Sequence, residues 1–262
     1  MAWCARQSGG DVSWVGFNQD QHGLSPGETF EDLDDDIAMA VLQGLRSLRS
    51  LSTAVTAIAV PTENVDPRFS MGQRYPMMMS DEDAQALISI VSELAPDAVI
   101  AEVGSRLCGS ARLIWDHAPQ PRRIYCFDPA WSEGAGLADP AMARLRERWD
   151  LQAYATQYDF AKLYTKPVPA MRLLKMASPY EIQWWSEPVD MMFEDSSHEN
   201  PQLRDTLDFW TRWVKPDGII AGHDYFYAWP DVITEADALA QRLGVQLQVR
   251  GTVWWLRKPR ED

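Results

Sequence analysis

Apolar positions follow three regimes along the chain. Residues 1–30 mix Gly, Ser, Gln and Asn with isolated aromatics and show no period, which predicts an arm or irregular cap. From Glu31 onward, EDLDDDIAMAVLQGLRSLRSL places Ile37, Val41, Leu45 and Leu48 at helical spacing. Acids lead this stretch and Arg46 and Arg49 close it, as a helix dipole favours. Residues 61–79 read as a connection. Ser80-Asp-Glu-Asp83 is a capping-box pattern with Asp83 where Glu is usual. The helix it starts should run to about Leu94, on a face of Ala84, Leu87, Ile88 and Val91.

Beyond Pro96-Asp97 the pattern changes. Short apolar runs alternate with longer amphipathic ones. AVIAEVG, RRIYCFDP, AMRLLKM, PVDMMFED and GIIAGHDY read as strands, and VQLQVRGTVWWLRK as two closing strands. SARLIWDHA, residues 139–149, PYEIQWWS, NPQLRDTLDFWTRWV and DVITEADALAQRLG read as helices. In the fourth of these Asn200 should cap, Pro201 should take the first position, and Leu203, Leu207, Trp210 and Val214 form the apolar face. The alternation predicts an α/β protein: an open, mostly parallel sheet of seven strands with helices on both faces.

The 262 residues suffice for one large domain or two small ones, with 46% hydrophobic and 24% charged residues. Three cysteines, Cys4, Cys108 and Cys126, form no disulfide or zinc pattern and suggest a reducing compartment. The net charge of −14 repels phosphate backbones, so nucleic acid is not an expected partner. That charge serves solubility or, alternatively, a cationic ligand. No run approaches the ~18 apolar residues of a membrane span, and the first residues lack a signal peptide's apolar stretch. A cytoplasmic location and no membrane partner are expected.

In open sheets of this kind ligands bind beyond the carboxyl ends of the strands, so the residues placed there carry the chemistry. Glu102-Val-Gly104-Ser-Arg-Leu-Cys-Gly109-Ser110 ends one strand with two glycines five apart. It lacks the middle glycine of G-x-G-x-x-G, which disfavours a pyrophosphate cradle and a nicotinamide oxidoreductase. The loop is either a structural turn or a ligand site. Asp128 closes the next strand, where an acid can hold both hydroxyls of a ribose or simply cap a turn before Pro129. FEDSSHENP then sets three acids and His198 within six positions of a buried strand.

EVGSRLCGS with CFDP, VDMMFEDSSH and VKPDGIIAGHDY together resemble the class I S-adenosylmethionine-dependent methyltransferases, over about residues 80–262. Within them the chain most resembles the metal-dependent small-molecule O-methyltransferases of the macrocin and rhamnosyl type. Asp195-Ser-Ser-His198 matches their pattern. Asp217 replaces the first glycine of their Gly-Gly turn, and His223 the first acid of their acid pair. The resemblance implies a Rossmann-like domain over 79–262 behind an N-terminal arm and helical cap over 1–78. It implies S-adenosylmethionine with its methionine end on Glu102, Gly104, Ser105, Gly109 and Ser110, its ribose on Asp128 and its adenine by Met176, Ala177 and Ser178. It implies a divalent metal, magnesium or manganese, on Asp195, His223 and Asp224, and His198 as general base. The acceptor would be the hydroxyl of a sugar or natural product. The cap would cover it or build a homo-oligomer.

The residues themselves support such chemistry. Neighbouring strands lie about 4.8 Å apart, so acids at adjacent strand ends can meet one ion. An imidazole with an ordinary pKa of about 6.5 suits proton removal near neutrality. Metal-independent O- or N-methyl transfer, and a non-catalytic cofactor-binding module, remain alternatives. Glu194 reads as solvated surface. Met77-Met78-Met79 reads as core more than as cofactor contact. Tyr225, Phe226, Tyr227 and Trp229 either face the acceptor or pack on the next helix.

Overall fold

The structure, a computed structural model, describes residues 2–8, 11–17, 71–131, 145–146, 149, 151 and 154–260. Contacts divide the chain into two compact units, Met1–Ala59 and Val60–Asp262. In the smaller unit β1 (Ala2–Ser8) and β2 (Asp11–Phe17) pair antiparallel, from Ala2 opposite Phe17 to Ser8 opposite Asp11. A strand pair stands where an irregular arm or helical cap was expected. The missed signal is Gly9-Gly10 between two runs of strand length, a hairpin pattern. The helix expected over Ile37–Leu48 lies outside the described residues.

The larger unit contains the expected seven-stranded sheet. Its strands are β3 (Val99–Val103), β4 (Arg123–Phe127), β5 (Met171–Leu174), β6 (Val189–Glu194), β7 (Val214–Gly222), β8 (Gln248–Arg250) and β9 (Val253–Arg257). Their order is β5-β4-β3-β6-β7-β9-β8. The first five run parallel, and β9 pairs antiparallel with both β7 and β8. All five residues of β3 are buried, as a central strand covered on both faces requires. The chain leaves β3 for β4 and β5 on one side, then returns to build β6 and β7 on the other. That reversal opens a crevice at the carboxyl ends of β3 and β6, where such sheets bind ligands.

Six helices are described: α1 (Met71–Arg74), α2 (Asp81–Val91), α3 (Gly109–His117), α4 (Gln157–Thr165), α5 (Gln202–Trp213) and α6 (Pro230–Leu243). Ser80 and Asp83 form the expected box at α2, each side chain accepting from the other's backbone N–H. The face of α5 is as expected, with Leu203, Leu207, Trp210 and Val214 all buried. The helix starts one residue late, at Gln202, while the Asn200 amide oxygen still accepts from the Arg204 N–H at 3.3 Å. Leu203, Leu207 and Trp210 pack on the sheet with Phe127, Met192 and Trp254. The helix expected in PYEIQWWS is absent: residues 178–184 form turns, with Ile182 N–H on the Pro179 carbonyl and Trp185 N–H on the Ile182 carbonyl. The turns there bury Ile182 and Trp185 in the core that α5 covers.

Candidate active site

Four strand ends build one cavity of about 800 Å³. After β3 the backbone turns at Gly104, whose φ of +94° suits glycine. A Cβ there would stand 2.1 Å from the Asp195 carbonyl oxygen, so a side chain would push β3 away from β6. Gly104 N–H donates to the Phe127 carbonyl at 2.8 Å, which ties the loop to β4. The loop then enters α3, and a Cβ on Gly109 would stand 2.4 Å from the Pro76 carbonyl oxygen. The second glycine thus admits the segment Pro76–Met79, which lines the cavity.

Asp128, at the end of β4, lines this wall with both carboxylate oxygens engaged. Arg106 N–H donates to Oδ2 at 2.7 Å and Ala130 N–H to Oδ1 at 2.9 Å. A carboxylate here is an acceptor of the kind a ribose hydroxyl needs. Glu102 lies behind the loop, fully buried, and neither carboxylate oxygen has a well-formed hydrogen bond. Burial pushes its pKa up to about 7, with the nearby Ser105 and Ser110 hydroxyls relieving part of the cost. A buried acid without a cationic partner suits a cationic group, such as the ammonium of a bound methionine moiety.

The opposite wall comes from the ends of β6 and β7. Asp195, Ser196, Ser197 and His198 follow β6; His223 and Asp224 follow β7; Trp229 comes from the loop before α6. Asp224 has φ +62°, a left-handed conformation uncommon outside glycine and the Asn/Asp group. His198 Nε2 stands 2.8 Å from Asp224 Oδ2, off the axis of an aligned hydrogen bond. The His198 ring lies on Trp229 with centroids 4.3 Å apart. The contact with Asp224 raises the His198 pKa, with burial opposing it.

His223 occupies the centre of the acids. Its Nδ1 is 3.4 Å from both Asp195 Oδ1 and Asp224 Oδ2, and its Nε2 is 3.5 Å from Asp83 Oδ2. Burial alone would lower its pKa. The carboxylates of Asp195, Asp224 and Asp83 outweigh burial and push it up to about 12. Burial likewise opposes but does not prevent a fall for Asp224, which the two imidazoles hold well below the usual carboxylate range. Asp195 is raised, since burial there outweighs His223.

The residues expected at the site therefore do not all meet. Gly104, Ser105, Gly109, Ser110, Asp128, Asp195, His198, His223 and Asp224 line the one cavity, with Glu102 just behind it. Met176, Ala177 and Ser178 do not line it. Ser178 is buried on α5 instead, accepting from Trp210 Nε1 at 2.9 Å and, at its carbonyl, from Thr206 Oγ1 at 3.3 Å. The three residues expected to hold a metal, Asp195, His223 and Asp224, stand together, with His198 beside them. Asp195, His198 and Asp224 each offer an atom within 4.8 Å of the others'. Glu194 is buried rather than solvated, with Ser196 N–H and Oγ on its Oε1, and burial pushes it up to about 7. The methionine run, read from sequence as core, provides Met77, Met78 and Met79 to the wall. Sequence reasoning missed Leu107, Gln157 and Gln202, which carry no motif.

Comparison with known proteins bears on the fold. Residues 101–225 match a family model described as a methyltransferase domain. No curated protein matches the chain. Among solved structures, a protein from Staphylococcus aureus assigned as a caffeoyl-CoA O-methyltransferase shares the fold. Its TM-score is 0.50 and its identity 10%, over 70% of this chain and 86% of that one. A precorrin-6Y C5,15-methyltransferase from Geobacter metallireducens aligns at TM-score 0.48 and 14% identity, over 69% and 88% of the two chains. A protein from Streptococcus mutans assigned as a methyltransferase, in complex with SAH, aligns at TM-score 0.43 and 13% identity, over 70% and 99%. The fold is that of the class I methyltransferases. Over residues 101–225 the chain is also similar in sequence to a methyltransferase domain.

Proposed function

We propose that the protein methylates a hydroxyl of a small molecule, a sugar or another natural product, with His198 as the base. When bound, S-adenosylmethionine supplies a methyl group made electrophilic by its sulfonium. One observation carries the reading: Asp128 and the glycine loop form one wall of the cavity, and Asp195, His198 and Asp224 the other. A cofactor held by the first wall would have the second within reach for its methyl group. A cavity near 800 Å³ holds a nucleoside cofactor and a small acceptor together.

Asp224 beside Nε2 favours the His198 tautomer that carries its proton there. Nδ1 would then take the proton of the acceptor hydroxyl while the methyl passed from sulfur to that oxygen, the electron pair of the broken S–C bond remaining on S-adenosylhomocysteine. Trp229 holds the ring in place from one face. Ser197 and Gln202, on the cavity wall, supply hydrogen bonds for further acceptor hydroxyls.

The proximity of Asp195, His198 and Asp224 favours a second reading, with a divalent ion on these three groups. Two carboxylates and an imidazole suit manganese, iron or zinc better than magnesium. Such an ion would lower the pKa of a coordinated acceptor hydroxyl. The two readings use His198 Nε2 differently, so they separate in one experiment. Production of S-adenosylhomocysteine is followed over a panel of hydroxylated acceptors, with and without EDTA. Turnover that survives EDTA and fails in His198→Ala supports the base. Turnover lost in EDTA and restored by manganese supports the ion. Transfer to amines but to no hydroxyl would overturn both.

A further inference from the structure

The cap acid of α2 is built into the reacting wall. A capping box asks only that the N3 acid accept from the N-cap N–H. Asp83 Oδ2 does this from Ser80 N–H at 3.0 Å and from Ser80 Oγ at 2.6 Å. A second box, Thr156 with Asp159 at α4, makes the same two contacts at 3.1 and 2.7 Å from an exposed carboxylate. Asp83 is only 4% exposed, and its other oxygen reaches a segment 169 positions away. Oδ1 accepts from Thr252 N–H at 2.6 Å and from Thr252 Oγ1 at 3.1 Å. The turn between β8 and β9 is shaped around it. Gly251 has φ +61°, and a Cβ there would stand 2.4 Å from Asp83 Oδ1.

Hydrogen-bond direction follows from this geometry. The Thr252 hydroxyl has one proton, and a carboxylate can only accept it. Its oxygen is then left to accept from His223 Nε2, 3.0 Å away. One edge of the His223 ring is thereby fixed, and the other edge faces Asp195 and Asp224 at 3.4 Å each. Without that hold the ring could turn, and both carboxylates would lose a common donor.

We propose that Asp83, acting through Thr252, is a positioning residue that locks His223 as a donor bridging Asp195 and Asp224. The α2 cap thus sets the alignment of the reacting wall. The importance of that wall rests on the methyl-transfer reading above. The lock itself is tested without an acceptor.

Three variants separate the lock from the cap. Thr252→Val keeps shape and backbone while removing the hydroxyl. Asp83→Glu keeps a good capping acid while moving the carboxylate by one methylene. Ser80→Ala weakens the cap alone. The readouts are thermal midpoint, calorimetric binding of S-adenosylhomocysteine, and exchange of the His223 ring N–H proton by NMR, assigned from its loss in His223→Gln. The wild type is expected to show a protected ring proton. Thr252→Val and Asp83→Glu should speed its exchange at least tenfold, with S-adenosylhomocysteine affinity within about twofold of wild type. Ser80→Ala should lower the midpoint and leave the proton protected. Undiminished protection in Thr252→Val, or no protected proton in the wild type, overturns the proposal. Thr252→Val alone decides if Asp83→Glu does not fold. Failure of the wild type to bind S-adenosylhomocysteine would count against the methyl-transfer reading, with the ring proton still testing the lock.

Discussion

Replacing Glu102 by Gln should flatten the pH dependence of stability in the free protein. The carboxyl is fully buried without a cationic partner, and burial lifts its pKa from an ordinary 4.5 to about 7. Between those values the unfolded chain has released the proton while the folded chain keeps it. Stability therefore falls as pH rises, by about 1.4 kcal/mol per pH unit across this window. The gap of two and a half pH units corresponds to about 3 kcal/mol lost between pH 4.5 and pH 7. Glu102→Gln removes the titrating group and nearly keeps its shape. Other shifted groups, Glu194 among them, are common to both proteins and cancel in the comparison. Urea unfolding followed by tryptophan fluorescence, from pH 5 to 8, measures the difference. The variant should gain on the wild type by about 3 kcal/mol across the range. Saturating S-adenosylhomocysteine should shrink that gain, because its ammonium gives the carboxylate a partner. Parallel stability curves for the two free proteins would refute the reasoning.

Other perturbations act on separate parts of the site. His198→Ala should cut turnover by roughly 10²–10⁴-fold and leave S-adenosylhomocysteine affinity unchanged by calorimetry; equal losses in both would make the ring part of the cofactor site. Gly104→Ala should destabilise the protein by about 3 kcal/mol or more in urea, since left-handed strain adds to an overlap with the Asp195 backbone. Asp128→Ala should weaken S-adenosylhomocysteine binding at least tenfold, because it frees the Arg106 and Ala130 N–H groups and removes the ribose acceptor. Below about pH 4 stability should fall again, as protons return to Asp224 and Asp83, both held below the usual carboxylate range in the fold; circular dichroism against pH checks the sign.

Local signals made the strand ends legible. An apolar run closing on an acid and a glycine marks where a buried strand leaves the core, and Gly104, Asp128, Asp195 and Asp224 could all be placed that way. The α2 cap was legible for the same reason, because it spans four residues. PYEIQWWS failed because its turns are held by packing on α5, which no local pattern reports. The pair β1–β2 was missed because its sequence carries no clear alternation of apolar and polar residues.

By itself the sequence determined the order of elements, the parallel sheet and the acids and imidazoles at the ends of its strands, since each depends on neighbours a few positions apart. Tertiary structure decided which of those groups touch. It sent Ser178 into the core, brought Met77–Met79 to the cavity, and set His223 against both Asp195 and Asp224 with His198 on Asp224. It also set Asp83 against Thr252 across 169 positions. The reason is that side-chain direction at a strand end depends on strand order and register, and these are settled only when the whole sheet assembles.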